Sequence, residues 1–254
     1  MQTTEQDSQA IPFELIYESQ DGVSPHWLYQ QEVETMRAAG LTVVLSPSKG
    51  SKTLLRRGRI IDEEDFPTDP RYLQDGRTYS NYNRIDRWYP RIADLTIPTV
   101  FSDCLDAGAA AAVEELGWSR AFVKNSVKSL VEDDPLDSVW PDVCFDRMLE
   151  KFSKNPRKGP YALRQYLAPE HFESEHRYWV MGNQIHHSSG QIPEIVREAK
   201  ARLDVFGGVF YTIDATDSLI VEINGGESSD RKTDNTAEDF ARWIRDAFMS
   251  PKSV

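Results

Sequence analysis

Apolar positions divide the chain into an opening of alternating strand and helix and a second half of short strands. Phe13-Glu-Leu-Ile-Tyr17 is a run of β-forming residues. Ser24-Pro25 offers an N-cap and a first helical position, and Gly40 a stop. Between them Tyr29, Val33 and Met36 recur at helical spacing. Leu41-Thr-Val-Val-Leu45 follows as a buried strand, so a βαβ-like opening with a parallel pair is the economical arrangement. Thr53-Leu-Leu-Arg-Arg57 adds a third strand beyond the turn signal Ser46-Pro-Ser-Lys-Gly50. The stretch from Ile61 to Tyr82 is acidic at first, carries Pro67 and Pro70, and reads as a long surface loop. Helical patterns return around Ile85–Leu95 and Leu105–Leu116, the second closed by Gly117, before Ala121-Phe-Val-Lys124 reads as a strand.

Beyond this point the strands expected are Tyr161–Leu167, Tyr178–Met181, Gly208–Ile213 and Leu219–Ile223. Helices are expected over Ile192–Leu203 and from Thr236, where Asp239 completes a capping-box-like start and Phe240, Trp243, Ile244 and Ala247 form the buried stripe. The predicted fold class is an α/β N-terminal region followed by α+β, with mixed or antiparallel sheets. The composition shift falls between Pro90 and Trp118, which suggests domains over residues 1–100 and 101–254.

Composition narrows the function classes. The chain has 254 residues, with 29 Lys and Arg against 41 Asp and Glu and a net charge of −12. That balance disfavours nucleic acid and anionic membranes as partners, because both attract positive charge. No apolar run has the length of a membrane span, and the N-terminus lacks the shape of a signal peptide. With only Cys104 and Cys144, a disulfide framework or a cysteine-built zinc site is excluded, and a cytoplasmic setting is expected.

Three segments carry candidate chemistry. In Leu219-Ile-Val-Glu222-Ile-Asn224, alternation puts Glu222 and Asn224 on one face as adjacent oxygen ligands of the kind Mg²⁺ prefers. The preceding Asp214 joins that face if the connecting loop has an odd number of residues and leaves it if the number is even. Lys124 ends a buried strand and Lys128 follows in a Ser-containing turn, where an anion can be held. Arg164, on an otherwise apolar strand, and Arg177 both need an anionic partner, either an internal carboxylate such as Glu175 or a ligand. His186 and His187 point to opposite faces of a strand and suit one metal ion poorly. The acidic cluster Asp62–Asp65 reads as a charged loop.

The order of these segments resembles the ATP-grasp superfamily. Phe122-Val-Lys124-Asn-Ser-Val-Lys128-Ser, Leu163-Arg164-Gln-Tyr-Leu, Glu175-His-Arg177-Tyr and Asp214 before Glu222-Ile-Asn224 are similar to its small clade in which an arginine replaces the first phosphate-binding lysine. Leu54-Leu-Arg-Arg57-Gly58 with Tyr82 and Trp88-Tyr89 is similar to that clade's N-terminal region. The resemblance implies ATP and Mg²⁺ as cofactors and an ATP-dependent joining of a carboxylate to an amine, the substrates being small molecules or peptides. It implies phosphate contacts from Lys124 and Lys128, an adenine-reading hinge at Gln165, Tyr166 and Leu167, and metal ligation by Asp214, Glu222 and Asn224. It further implies transition-state charge stabilisation by Arg177 and Arg164, with Arg87 or Arg91 as the substitute for the first lysine. Leu130-Val-Glu-Asp-Asp-Pro135, acidic and glycine-free, departs from the glycine-rich loop of larger members. A phosphotransferase on the same scaffold and a non-catalytic nucleotide-binding module remain open alternatives.

Overall fold

Phe13–Tyr17 (β1) is buried at every position. It pairs in parallel with Val43–Val44 (β2) on one side and Thr53–Arg57 (β3) on the other, giving a three-stranded sheet in the order β2-β1-β3. This is a computed structural model, and it describes residues 13–19, 21–47, 52–59, 61–127, 138–153, 159–232 and 234–249. The helix joining β1 to β2 spans Gln30–Ala38 (α1) and is entered through a 3₁₀ turn at Trp27–Tyr29, later than the Ser24-Pro25 signal suggests. The reason is local. The Asp21 carboxylate captures the Val23 and Ser24 amides at 2.9 and 2.8 Å, and this competing turn holds Ser24 out of the helix.

The last residue of β3, Arg57, is fully buried. Its Nε and Nη2 donate to the two oxygens of Glu32 on α1 at 2.9 and 3.0 Å, and the Tyr17 hydroxyl donates to Glu32 Oε1 at 2.7 Å. Nη1 donates to the carbonyls of Gly226 and Ser229, the latter at 2.9 Å. The guanidinium also lies 5.1 Å from the Phe240 ring centroid and 5.3 Å from that of Trp179. One side chain thus fastens the parallel sheet to segments far along the chain, within a core that includes Leu15, Val33, Trp179, Phe210 and Ile244.

The stretch expected to be a loop up to Tyr82 contains a helix, Gly76–Asn83 (α2). Asp75 caps it by accepting from the Thr78 amide at 2.7 Å. Its buried residues are Tyr79, Ser80, Tyr82 and Asn83, a mixed polar and aromatic face that carries no aliphatic periodicity. Ile85–Ile92 (α3) follows, burying Ile85, Trp88 and Ile92.

Among the described residues, two four-stranded antiparallel sheets follow. The first combines Thr99–Ser102 (β4), Ala121–Asn125 (β5), Val139–Trp140 (β6) and Tyr161–Gln165 (β7) in the order β4-β7-β5-β6. Ala107–Glu115 (α4) and Phe145–Ser153 (α5) cover one face, where Val113, Met148 and Phe152 meet Val123 and Leu163. The strand expected over Tyr161–Leu167 stops at Gln165. Helix α4 starts at Ala107 because Asp106 accepts from the Gly108 and Ala109 amides at 2.9 and 3.2 Å. The second sheet combines His176–Met181 (β8), Gln184–His186 (β9), Phe210–Ala215 (β10) and Ile220–Gly225 (β11) in the order β11-β10-β8-β9. Tyr178, Val180, Tyr211, Ile213 and Ile223 pack with α3 and with Glu194–Leu203 (α6). Trp179, Met181 and Phe210, on the opposite face, pack with Ala237–Phe248 (α7). Thr236 caps α7 by accepting from the Asp239 amide at 3.0 Å, and Phe240, Trp243 and Ile244 are its buried stripe, as the pattern predicts. Strands β4, β6 and β9 and helix α5 are additions to the predicted set. Among the described residues no helix is long and apolar enough to cross a membrane.

Arg57→Met should lower stability by about 3–5 kcal/mol, because it strands Glu32 as an uncompensated buried charge. The loss would be read as a shifted midpoint in urea unfolding. Adding Glu32→Leu should recover most of it, since no charge then remains buried.

Candidate functional site

The register of the last hairpin decides which carboxylates meet. Residues 216–219 connect β10 to β11, an even count that by simple alternation would set Asp214 against Val221 and away from Glu222. Ala215 does pair with Ile220, but Asp214 pairs with Glu222, Ile213 with Ile223 and Thr212 with Asn224. Val221 is therefore an extra residue in β11, a β-bulge, and it returns Asp214 to the face of Glu222 and Asn224. The bulge's backbone groups are satisfied from outside the hairpin. Thr96 Oγ1 donates to the Ile220 carbonyl at 2.7 Å, and the Ile220 amide donates to the Leu95 carbonyl at 2.8 Å. Arg164 on β7 donates from Nη1 to the Val221 carbonyl at 2.9 Å and from Nη2 to Thr96 Oγ1 at 3.2 Å.

Across β10, Asp214 also pairs with Arg177 on β8, so charges run in a row over three strands. Arg177 forks onto Asp214, Nε to Oδ1 at 2.7 Å and Nη2 to Oδ2 at 2.6 Å. Its Nη1 donates to the Asp230 carbonyl at 2.8 Å and to the Asp230 carboxylate. Burial opposes the guanidinium's charge, but Asp214 and Asp230 outweigh it and hold its pKa above the ordinary arginine value. From the facing sheet, Lys124 on β5 is 3% exposed and forms an ion pair with Glu222. Asn224 Nδ2 donates to the other Glu222 oxygen at 3.2 Å. Burial pushes Glu222 up, yet the Lys124 ammonium and these hydrogen bonds prevail and bring it down to about 2. The row therefore runs Lys124, Glu222, Asp214, Arg177, Asp230, with the neighbouring carboxylates Glu222 and Asp214 flanked by a cation on either side.

This architecture has counterparts among solved structures. A RimK-domain ATP-grasp protein from Sphaerobacter thermophilus superposes with a TM-score of 0.61 at 15% identity, covering 94% of this chain and all (100%) of that one. The macrocyclase MdnC from Microcystis aeruginosa, solved with its precursor peptide MdnA, gives 0.54 at 13% identity, covering 93% of this chain and 98% of that one. The ATP-grasp ligase PsnB, solved with a minimal precursor, Mg and ADP, gives 0.53 at 11% identity over 92% of this chain and 98% of that one. The chain has an ATP-grasp fold. No protein-family model and no curated protein matches the sequence. At these identities the likeness establishes the fold alone.

Within the ATP-grasp fold, the remaining predicted residues stand as follows. Gln165 ends β7, and its amide donates to the Pro98 carbonyl at 2.9 Å. The Tyr166 amide donates to the Arg120 carbonyl at 3.2 Å, and the Arg120 guanidinium covers the Tyr166 ring at 4.0 Å from its centroid. Leu167 follows, half-buried. Lys128 and the acidic stretch Leu130–Pro135 lie outside the described residues. Arg87 pairs with Glu63 at 2.8 Å beside a small pocket that also involves Tyr79, Asn83, Arg84 and Val127. Arg91 instead lies 5.9 Å from the centroid of Phe206. The Glu175–Arg177 pair considered from the sequence does not form; Glu175 meets Lys232, which also stands 3.8 Å from Asp214. Asp230, Lys232 and Arg84 were missed by sequence reasoning, since no periodic pattern marks residues in loops or at helix starts. His186 stacks on Trp243 with centroids 5.3 Å apart, whereas His187 meets His176 and Asp234. A groove of about 500 Å³ between α1 and α7, lined by Glu34, Thr35, Arg242 and Arg245, shares no residue with the charge row.

The lowered Glu222 pKa makes a pH prediction. A carboxylate that titrates near 4.5 unfolded and about 2 folded adds stability above the unfolded value and loses it as pH falls towards 2. Urea unfolding followed across that window should show a steeper loss of stability for the native chain than for Lys124→Met.

Proposed function

We propose that the chain is an ATP-dependent carboxylate–amine ligase working with Mg²⁺, with residues 1–100 as a preceding α/β unit. The observation that carries this reading is the alignment of Asp214, Glu222 and Asn224 on one face, opposite Lys124 and beside Arg177. Their donor chemistry fits magnesium: two carboxylates and a carboxamide are hard oxygen ligands. Each Asp214 oxygen that accepts from Arg177 retains a further lone pair for a metal. Magnesium held there would neutralise charge on the nucleotide phosphates.

The chain's own residues supply the rest. Lys124, now paired with Glu222, would exchange that partner for a phosphate oxygen as Glu222 turns to the metal. Arg177 is preorganised by its fork onto Asp214 and would stabilise charge on the transferring phosphoryl group. The Arg164 Nη donors are committed to the bulge and to Thr96, so we assign it to positioning: it holds Val221 and, through it, the ligand register. Gln165, Tyr166 and Leu167 would border the adenine, and Lys128 would add a phosphate contact. Arg87 is the better substitute for the clade's first lysine, because it reaches the pocket at the end of β5 while Arg91 lies against Phe206. The substrate carboxylate would attack the γ-phosphate to give an acyl phosphate and ADP; the amine would then displace phosphate and form the amide. The precursor peptide bound by MdnC makes a peptide carboxylate the first substrate class to try.

Calorimetry with Mg·ATP tests the binding step, and the proposal fails if the native chain shows no magnesium-dependent binding. With candidate acids and hydroxylamine present, Glu222→Ala should lower ADP release at least about 100-fold while circular dichroism shows an intact fold. A hydroxamate product would report the acyl phosphate, whereas a stable phosphoester would sink the ligase reading.

A further inference from the structure

A second cluster of metal-type donors lies at the start of β8, across the sheet from the charge row. Alternation along β8 sends Arg177 to the face of Asp214 and Glu222, and therefore turns His176 to the other face. There His176 Nδ1 stands 3.0 Å from Asp234 Oδ2, and His187 Nε2, arriving just after β9, stands 3.1 Å from the same oxygen. The two imidazole rings are 5.1 Å apart and steeply inclined at 64°. One donor atom from each of the three residues falls within 4.8 Å of the others. Bonds of about 2.0–2.1 Å in a tetrahedral site imply donor separations of about 3.3–3.4 Å, so small adjustments would bring all three onto one ion.

The surroundings orient these donors. Asp234 Oδ1 accepts from Asn235 Nδ2 at 3.1 Å, which leaves Oδ2 aimed at both imidazoles. Asn235 is fully buried and pinned twice more: Nδ2 donates to the Arg177 carbonyl at 3.0 Å, and Oδ1 accepts from the Ser188 amide at 3.2 Å. Ser189 reaches His187 Nδ1 with its hydroxyl at 2.7 Å and its amide at 3.2 Å. Ser189 thereby fixes the orientation of the ring; because its amide donates to Nδ1, the ring proton lies on Nε2 towards Asp234, and that nitrogen must give up its proton for a metal to bind. The His187 side chain is 6% exposed and that of His176 44%, so one flank of the cluster is open to water or a further ligand.

We propose that His176, His187 and Asp234 bind a divalent transition-metal ion of the zinc class. Two imidazoles and one carboxylate with an open position suit Zn²⁺ or Co²⁺ and discriminate against Mg²⁺, which prefers oxygen donors. The site differs from the proposed magnesium ligands and does not depend on nucleotide binding. Its consequence reaches the charge row, however. Residues 230–232 bring Asp230 to Arg177 and Lys232 to Glu175, so an ion at Asp234, close behind them in the chain, would tether the residues that supply the Arg177 counter-ion.

The test uses the untagged full chain, stripped with chelator and titrated with Co²⁺ alone in excess Mg²⁺. The expected result is one Co²⁺ per chain, with a visible spectrum of nitrogen and oxygen ligation that Zn²⁺ abolishes by displacement. His176→Ala and His187→Ala should each weaken binding by more than about tenfold, while Glu222→Gln leaves it unchanged. Zn²⁺ should also raise the thermal midpoint of the native chain and leave that of His176→Ala where it is. Should His187→Ala fail to fold, the half-exposed His176→Ala decides alone. No stoichiometric Co²⁺ binding overturns the proposal and leaves Asp234 as a hydrogen-bond acceptor only. Binding that survives both histidine changes but is lost in Glu222→Gln overturns it equally.

Discussion

The arrangement of the charged face depends on one extra residue in β11. Side chains on a strand alternate with period two, so an insertion anywhere in the hairpin exchanges the two faces of everything beyond it. With Val221 bulged, Asp214, Glu222 and Asn224 share a face and Ile213 and Ile223 share the other. Without it, Asp214 would keep the face that its pairing with Arg177 sets, and Glu222 and Asn224 would turn into the apolar layer formed with α3 and α6. A bulge is stable only if its displaced backbone groups find partners, and here these come from outside the hairpin, from Leu95, Thr96 and Arg164. The joint between the two sheets and the register of the carboxylates are therefore one feature. Arg164 earns its buried place on β7 through this joint; burial draws its pKa down to about 10, against the opposing pull of Glu222.

Buried charge is handled in two different ways in this molecule. At Arg57 every nitrogen is committed to fixed protein acceptors, Glu32 and two main-chain carbonyls, and aromatic rings pack around the guanidinium. Such a group has no capacity left for a ligand, and its role is to hold the parallel sheet to the segment after β11 and to α7. In the charge row the cations are matched by carboxylate side chains, which can rotate away. Both arrangements obey the same rule that a buried charge needs a partner, but only the second leaves the partner exchangeable.

Strands β1, β3, β5, β8, β10 and β11 were legible because apolar or alternating runs marked them. Helix α2 was not, since what it buries is Tyr79, Ser80, Tyr82 and Asn83, and a pattern search looks for aliphatic repeats. Its position is set instead by close contact: a Cβ at Gly225 would collide with Asn83 Nδ2 and crowd the Tyr79 ring. Strands β6 and β9 are too short to carry a period. For the charged face, the spacing of Glu222 and Asn224 was readable, and so was the placement of Lys124 at a strand end. The face of Asp214 was not, because loop parity alone gives the wrong answer once a bulge intervenes. The partners Asp230, Lys232 and Asp234 come from a loop that returns to β8 only through tertiary structure, where no local rule reaches.

Exposure along the row indicates which contacts can yield. Asp214 and Arg177, at its centre, have side chains only 3% and 7% exposed, and Lys124 at one end is equally enclosed. Their partners are more open: Glu222 is 29% exposed and Asp230 78%. An anion approaching from solvent therefore meets carboxylates that can swing into water at modest cost, and behind them cations that cannot follow. Displacing Glu222 or Asp230 rehydrates a carboxylate, whereas displacing Lys124 or Arg177 would require moving a strand residue out of a packed sheet. The gradient of exposure favours exchange of counter-ions over rearrangement of the fold. It also singles out Asp230, close in the chain to Asp234 between two histidines and to the buried Asn235, as the group whose position sets how readily Arg177 is uncovered.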